Sequence, residues 1–172
     1  MRDKTAQDTD EASERKRGDD QDPNAKVIVE GLYKIATNLN HGLTIQMDTN
    51  SMAEPRIITL WPDNGTLQNL WRITYETEFS AHIITNQHNV KERSIFVANE
   101  HDVFAAQRPI LFRPQHFWDF ETAGSGLYVI KSKHNGRVLD VRGSNTGTGT
   151  LIIAWPYGGT TNQVFKLVRV GS

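Results

Sequence analysis

The chain has 172 residues, the usual size of a single domain, and its 19 lysines and arginines nearly balance 20 aspartates and glutamates. The formal net charge of -1 predicts no broad attraction to nucleic acid or anionic lipid, and the absence of cysteine excludes disulfides and thiolate chemistry. No apolar run is long enough to insert into a bilayer, and the first residues lack the apolar stretch of a secretory signal, so a cytoplasmic location is expected.

The chain begins with a polar segment. Residues 1–26 contain no aromatic or β-branched aliphatic side chain and mix charges of both signs. Such a segment offers too little apolar surface to offset its chain entropy. We predict a disordered tail over 1–26 and a folded domain over 27–172.

From residue 27 onward the sequence consists of short apolar runs separated by Gly, Asn, Asp, Pro and Thr. The runs have strand length and are rich in β-branched and aromatic residues, which favour pleated, half-buried strands. No convincing helical period extends beyond about ten residues. The pattern predicts an all-β domain of about twelve short strands.

Two passages of the chain repeat each other. The segment GLYKI at 31–35 recurs as GLYVI at 126–130, and IITLWP at 57–62 recurs as LIIAWP at 151–156. With one residue slipped between them the offset is 94, and the matched pairs are Ile45 with Leu139, Trp61 with Trp155, Gly65 with Gly159 and Trp71 with Phe165.

Half of that offset leaves room for a third, more degenerate copy between the two. Its predicted strands are 82–85, 94–97, 109–112 and 117–120. Three four-stranded repeats, at about 31–77, 78–124 and 125–172, cannot bury their apolar faces singly. Packed around a threefold axis, they are expected to close a six-stranded barrel capped by three hairpins.

The third copy carries a family resemblance. It reads GLYxI, then GRVLDV, then IIxWPxGGxxNQxF over residues 126–165, and this pattern resembles a repeat of the ricin-B-type lectins. The run WPYGGTTNQVF is similar to repeats of mushroom trefoil lectins, and the resemblance covers about residues 28–170. It implies a β-trefoil fold and non-catalytic binding of glycans that end in galactose or N-acetylgalactosamine.

The family's signature is Gln-x-Trp near the end of each repeat, and no copy here keeps it intact. It reads Asn69-Leu70-Trp71, His116-Phe117-Trp118 and Gln163-Val164-Phe165 in chain order. Because the last position stays aromatic in all three, we predict that Trp71, Trp118 and Phe165 are core side chains, as are Tyr33 and Tyr128.

A sugar site needs a carboxylate for the hydroxyl rim, an aromatic ring for the C–H face and an amide that donates and accepts. The resemblance carries these roles to Asp140, Trp155 and Asn162 of the third copy, with Gln163 in support. No cofactor or metal is implied.

Two further positions shape this predicted site. Tyr157 and the Gly158-Gly159 loop are expected at its rim. Ile153 stands where the family often has a polar residue, two positions before the aromatic, and this departure removes one expected hydroxyl contact.

The first copy offers a weaker second site. Gln46 replaces the carboxylate, Trp61 is the platform, and Gln68 and Asn69 stand in inverted order. A neutral amide makes weaker hydrogen bonds with hydroxyls than a carboxylate does. At these positions the middle copy has Phe96, Phe112 and a shortened loop with Arg113-Pro114, so no site is expected there.

Structural roles are open for the same residues. Asp140 could cap a turn after its strand, and Trp155 and Trp61 could belong to the core. For Gln46 and Gln68 a structural role is the favoured interpretation.

Alternative functions follow from the fold itself. A trefoil protease inhibitor is the main one, because fold does not fix function, and a protein-binding module that has lost its sugar sites is another. The Asp-Trp-Asn set favours sugar binding. No enzyme is predicted, because the chain lacks a phosphate-binding glycine loop, an HExxH motif and a glycine-flanked serine. Since one shallow site binds at about millimolar strength, we expect a homodimer.

Overall fold

The computed structural model of the protein describes residues 23–89, 91–107 and 113–172. Strands and single 3-10 turns make up the regular structure of these residues, without an α-helix. No helical segment in the described ranges is long and apolar enough to cross a membrane. The strands are β1 Ala25–Lys26, β2 Gly31–Thr37, β3 Leu43–Met47, β4 Arg56–Pro62, β5 Trp71–Glu76, β6 Ala81–Asn86, β7 Arg93–Val97, β8 Val103–Gln107, β9 Trp118–Gly124, β10 Leu127–Ser132, β11 Val138–Val141, β12 Ile152–Trp155 and β13 Phe165–Gly171.

Six strands close a barrel. Strand β2 pairs with β5, β5 with β6, β6 with β9, β9 with β10, β10 with β13, and β13 with β2 again, all antiparallel. The ring contains the first and last strands of each repeat. A closed ring leaves no free sheet edge among these six strands.

Three hairpins cap the barrel. They pair β3 with β4, β7 with β8 and β11 with β12, one hairpin in each repeat. This arrangement is the β-trefoil, and the predicted all-β fold is confirmed.

Five 3-10 turns join the strands, at Leu67–Asn69, Thr77–Phe79, Pro114–His116, Arg142–Ser144 and Thr161–Gln163. The first, third and fifth of these lie just before the last strand of each repeat. They contain the residues that stand where the Gln of the Gln-x-Trp signature is expected.

The core lies inside the barrel and under the hairpins. Trp71, Trp118 and Phe165 are fully buried, as predicted from their place at the end of each repeat. The indole N–H of Trp71 donates to the Ile45 carbonyl and that of Trp118 to the Ile95 carbonyl, both at 3.0 Å. Each indole therefore packs into the core and also ties the last strand of its repeat to the hairpin. Tyr33 is buried and Tyr128 packs half-buried against the core, as expected.

The register of the hairpins follows the sequence offset. Ile45 lies opposite Leu60 as Leu139 lies opposite Ala154, and Trp61 lies opposite Thr44 as Trp155 lies opposite Val138. Gly65 and Gly159 adopt the same left-handed backbone, with φ of 71° and 73°. Side chains other than glycine are strained in this conformation, which explains why the pair is shared by the two copies.

Regular strand structure begins within the segment predicted as a tail. Residues 1–22 of the predicted 1–26 segment lie outside the described residues. Ala25 and Lys26, however, form β1 and pair with Glu121 and Phe120 of β9. Strand pairing therefore includes the last two residues of the predicted segment. Just after them, Ile28 is buried and its N–H donates to His82 Nε2 at 3.0 Å.

The third strand of the middle repeat is also shifted. The sequence predicts it at 109–112, and residues 108–112 lie outside the described residues. The strand opposite β7 is instead β8, Val103–Gln107, in which Val103 and Ala105 are buried. Its alanines weaken the apolar pattern, so the sequence VFAAQ does not stand out as a strand.

Candidate functional site

The third repeat brings its candidate residues together at one end of the β11–β12 hairpin. Asp140 on β11 lies opposite Ile153 on β12. Trp155 follows Ile153 by two residues and therefore projects from the same face of the strand. The 3-10 turn Thr161–Gln163 packs against β11 and supplies Asn162 and Gln163.

Two amides hold the carboxylate of Asp140. Its Oδ1 accepts from Asn162 Nδ2 at 3.1 Å, and its Oδ2 accepts from Gln163 Nε2 at 2.9 Å. The same two nitrogens also donate to backbone carbonyls, Asn162 to Val141 at 3.1 Å and Gln163 to Pro156 at 3.0 Å. The acid is therefore fixed within its strand as part of a side-chain network, which argues against the alternative of a turn cap.

The side-chain oxygen of Gln163 extends this network to the rim. It accepts from the Gly158 N–H at 2.9 Å, and this bond ties the loop after β12 to the floor of the site. Gln163 thus uses both ends of its amide inside the protein. It is placed to support the site rather than to contact a ligand.

Asp140 is almost fully buried, with 4% of its surface exposed. Burial raises the pKa of its carboxyl above the ordinary value, and the hydrogen bonds from Gln163 and Asn162 lower it by less. Both neighbouring groups are N–H donors, which suits the ionised acid. Each carboxylate oxygen accepts one side-chain bond and keeps acceptor capacity for a further donor.

Trp155 forms the wall of an open cleft. Its side chain is 48% exposed, so the alternative of a core tryptophan does not hold for this residue. The cleft has a volume of about 700 Å³, and its lining includes Asp140, Ile153, Trp155, Gly158, Asn162 and Gln163. A buried acid below and a half-exposed indole beside it give the cleft a polar floor and an apolar wall.

Other predicted rim residues lie farther out. Tyr157 is 61% exposed and is not among the residues that line the cleft. Its hydroxyl lies near Gly159. The prediction did not name five further residues that line the cleft, which are Arg142, Gly143, Ser144, Pro156 and Thr160. The sequence signal for Arg142 was its position directly after Asp140 and Val141.

The first repeat keeps the positions but not the network. Gln46 lies opposite Thr59, where Asp140 lies opposite Ile153, and Trp61 is half-buried. Gln68 donates to the Thr49 hydroxyl at 3.2 Å and Asn69 donates to the Thr44 hydroxyl. These two amides are thus tied to threonines rather than to Gln46, and the first repeat has no equivalent of the linked acid and amides.

The middle repeat fills the same position with rings. Phe96 stands where Asp140 stands and stacks on His116, with ring centroids 4.9 Å apart and planes 16° apart. Ala106 lies opposite Ser94, in the register position of Trp155. The predicted platform, Phe112, lies outside the described residues.

A second concavity, of about 510 Å³, lies along the outer side of β5, β6 and β7. Its lining is mostly polar and contains Arg72, Glu76 and Gln87, without an aromatic ring. It lacks the acid and platform that the third repeat combines. Within 23–89, 91–107 and 113–172 no cluster of three or more histidines, aspartates or glutamates could hold a metal ion.

Comparison with known sequences finds one family. Residues 114–172 match the model described as "Ricin-type beta-trefoil lectin domain-like". The matched stretch contains the end of the middle repeat and the whole of the third, including Asp140, Trp155 and Asn162. No curated protein matches the chain significantly.

Comparison with solved structures finds the same fold in proteins of different function. The agglutinin of Rhizoctonia solani is 18% identical, with a TM-score of 0.70 over 84% of this chain and 99% of its own. The C-half of the earthworm R-type lectin, solved in complex with GalNAc, is 19% identical, with a TM-score of 0.62 over 81% of this chain and 99% of its own. A proteinase inhibitor from Coprinopsis cinerea is 13% identical, with a TM-score of 0.68 over 84% of this chain and 100% of its own.

At these identities the structural similarity shows the fold alone. Together with the family model it confirms the predicted resemblance to ricin-type and fungal β-trefoil lectins. The inhibitor shares the fold but says nothing about the cleft of the third repeat.

Proposed function

We propose that this protein is a non-catalytic lectin whose working site lies in the third repeat and binds glycans that end in galactose or N-acetylgalactosamine. One observation carries the proposal. The Asp140 carboxylate is held by Asn162 and Gln163 at the floor of an open cleft, beside the half-exposed ring of Trp155. An acceptor, an amide and a ring in one cleft are what a pyranose requires.

Recognition follows from these groups. The C–H face of the sugar stacks on Trp155, while hydroxyls donate to the free acceptor positions of Asp140. Hydrogen bonds to an ionised acceptor are roughly twice as strong as neutral ones, so the acid contributes most of the polar binding. Asn162 is held in place by its two N–H bonds and offers its carbonyl oxygen to a further hydroxyl.

The galactose preference rests on the ricin-type sequence pattern of the third repeat, and the GalNAc bound in the earthworm lectin supports it. Ile153 lines the cleft and adds apolar surface to it. Because one shallow site binds at about millimolar strength, or about 4 kcal/mol, we also propose that the protein works as a homodimer on multivalent glycans.

The close contact between Ser94 and His116 has a structural explanation and does not require catalysis. Ser94 Oγ and His116 Nδ1 are 2.7 Å apart, a distance seen between a nucleophile and its base. Both side chains are nearly fully buried, however, and they occupy the register positions of Thr44 and Asn69, whose side chains are also joined. The pair is explained as a structural bond between strand and turn.

A glycan-array screen of the purified protein beside Asp140→Ala tests the proposal. Trp61→Ala serves as the control for the first repeat. We expect binding to terminal galactosides that Asp140→Ala loses and Trp61→Ala keeps.

Binding that persists in Asp140→Ala but is lost in Trp61→Ala would move the site to the first repeat and contradict the assignment. Silence of the wild-type protein across the array would overturn the lectin proposal. Inhibition of serine or cysteine proteases would then be measured, since the inhibitor alternative predicts it.

A further inference from the structure

A loop of the middle repeat reaches the platform of the third. Residues 98–102 join β7 to β8, and the carbonyl of His101 accepts from the Ala154 N–H of β12 at 2.9 Å. Asp102 forms an antiparallel bridge with Ile153. The loop is therefore joined by backbone bonds to the two residues that precede Trp155.

The imidazole of His101 lies against the indole of Trp155. The ring centroids are 5.9 Å apart and the planes are inclined by 47°. Tilted contacts of this kind are favourable because the edge of one ring meets the face of the other. Trp155 thus contacts His101 and also lines the cleft, whereas His101 is not among the lining residues.

A second contact orients His101. Arg137, which precedes β11, donates from Nη1 to His101 Nδ1 at 3.2 Å. An arginine only donates, so His101 Nδ1 is the acceptor in this contact. Arg137 and Trp155 belong to the third repeat and His101 to the second, so the contact crosses the boundary between repeats.

The loop itself is held by one side chain. Asn99 Oδ1 accepts from the N–H groups of His101 and Asp102, at 3.0 and 2.9 Å, and Asn99 Nδ2 donates to Asp102 Oδ2 at 2.6 Å. These bonds fix the backbone from which His101 projects. Asn99 does not line the cleft.

We propose that His101 is a positioning residue of the sugar site, which holds the Trp155 ring in place so that its open face meets the sugar. This inference rests on the proposed lectin function and deepens it, because the site of the third repeat then depends on a residue of the second. A half-exposed indole without this support would rotate among several positions, and fixing it would cost conformational entropy on each binding event.

The test uses full-length protein in two arms. In the first, titration calorimetry measures the affinity for N-acetylgalactosamine of the wild-type protein, His101→Ala and His101→Phe. We expect His101→Ala to bind about 3- to 10-fold more weakly, since a ring contact is lost. His101→Phe keeps a ring but loses the bond from Arg137, so its affinity should lie between the other two.

The second arm needs no glycan. Trp71 and Trp118 are fully buried, so in a Trp61→Phe background acrylamide reaches only the fluorescence of Trp155. Adding His101→Ala should make Trp155 easier to quench. Asn99→Ala should do the same to a smaller degree, because it loosens the loop and leaves the ring.

His134→Ala is the matched control in both arms. His134 is an exposed histidine of the third repeat whose backbone N–H bonds to Ser132, and its ring has no contact with Trp155. It should change neither affinity nor quenching.

Unchanged quenching in His101→Ala overturns the proposal, whatever happens to the affinity, because His101 then does not act through Trp155. Increased quenching with an unchanged affinity also overturns it, because the ring then needs no support to bind. If the wild-type protein binds no sugar, the lectin proposal fails, and the quenching arm still decides whether His101 holds the ring.

Discussion

The second and third repeats share one architecture but differ in a few side chains of their hairpins. Ile95 and Leu139 occupy the same fully buried position, and Trp118 and Phe165 close the core in both. One residue farther along the strand, the second repeat has Phe96 and the third has Asp140.

The difference shows which residues the fold requires. In the second repeat, Phe96 stacks on His116, and His116 bonds to Ser94, so the position is stable without a ligand. In the third, the buried carboxylate of Asp140 is held by two amides beside an exposed indole. The oxygens of this carboxylate keep acceptor capacity for a further donor. The fold depends on the inner positions, and the candidate site adds a second set that the fold does not need.

The largest effect is expected in the core of the repeat that has no site. Trp118→Ala removes a fully buried indole and its bond to the Ile95 carbonyl, which should lower the free energy of unfolding by about 3–5 kcal/mol. Urea denaturation measures this loss. A change as small as that of an exposed residue would show that the second repeat does not share the common core.

Trp155→Ala should show the opposite pattern. The half-exposed ring contributes little to folding, so the free energy of unfolding should change by about 0.5 kcal/mol or somewhat more, given its contact with His101. The affinity for N-acetylgalactosamine should fall about tenfold or more, as expected when a stacking ring is lost. Calorimetry measures the affinity and urea denaturation measures the free energy of unfolding. If the free energy of unfolding fell by as many kcal/mol as the binding free energy, Trp155 would belong to the fold as much as to the site.

Acid should weaken the third repeat's site before it affects the fold. Because burial raises the pKa of Asp140, its carboxylate is protonated at a higher pH than an ordinary surface aspartate. The affinity should therefore fall as the pH is lowered through that raised pKa. A series of titrations at decreasing pH checks this, and an affinity independent of pH in that range would mean that the charge of Asp140 is not used.

The same shift has a consequence for stability. A pKa that is higher in the folded than in the unfolded state adds stability below the unfolded value, and this contribution is lost as the pH rises through the folded value. The ionised acid is thus a cost to folding at neutral pH. The gap in unfolding free energy between Asp140→Asn and the wild-type protein should shift in favour of the variant as the pH rises.

The smallest effect is expected in the first repeat. Gln46→Ala should change the affinity for N-acetylgalactosamine by less than about twofold, because the amides of Gln68 and Asn69 bond to threonines. A loss comparable to that of Trp155→Ala would show that the first repeat also binds.

The fold could be predicted from the sequence because the inner positions repeat. The offset that pairs Ile45 with Leu139 and Trp71 with Phe165 reappears as strand register, since buried positions tolerate few residue types. Strand β8 could not be predicted in the same way, because two alanines replace the larger apolar residues that mark a strand.

The site was predictable only within one repeat. Asp140, Trp155, Asn162 and Gln163 lie close in the sequence pattern, and the structure brings them to one cleft. His101 lies in another repeat, 54 residues from Trp155, and contacts it only through the threefold packing of the hairpins. A pattern read along one repeat contains no signal for a contact between two.

The four tryptophans allow the central claim to be tested in one experiment. Each indole N–H gives a separate cross-peak in a nitrogen–proton correlation spectrum, and those of Trp71 and Trp118 are bonded inside the core. Titration with N-acetylgalactosamine should shift the Trp155 peak and leave the other three unchanged. A shift of the Trp61 peak alone, or no shift at all, would contradict a sugar site in the third repeat.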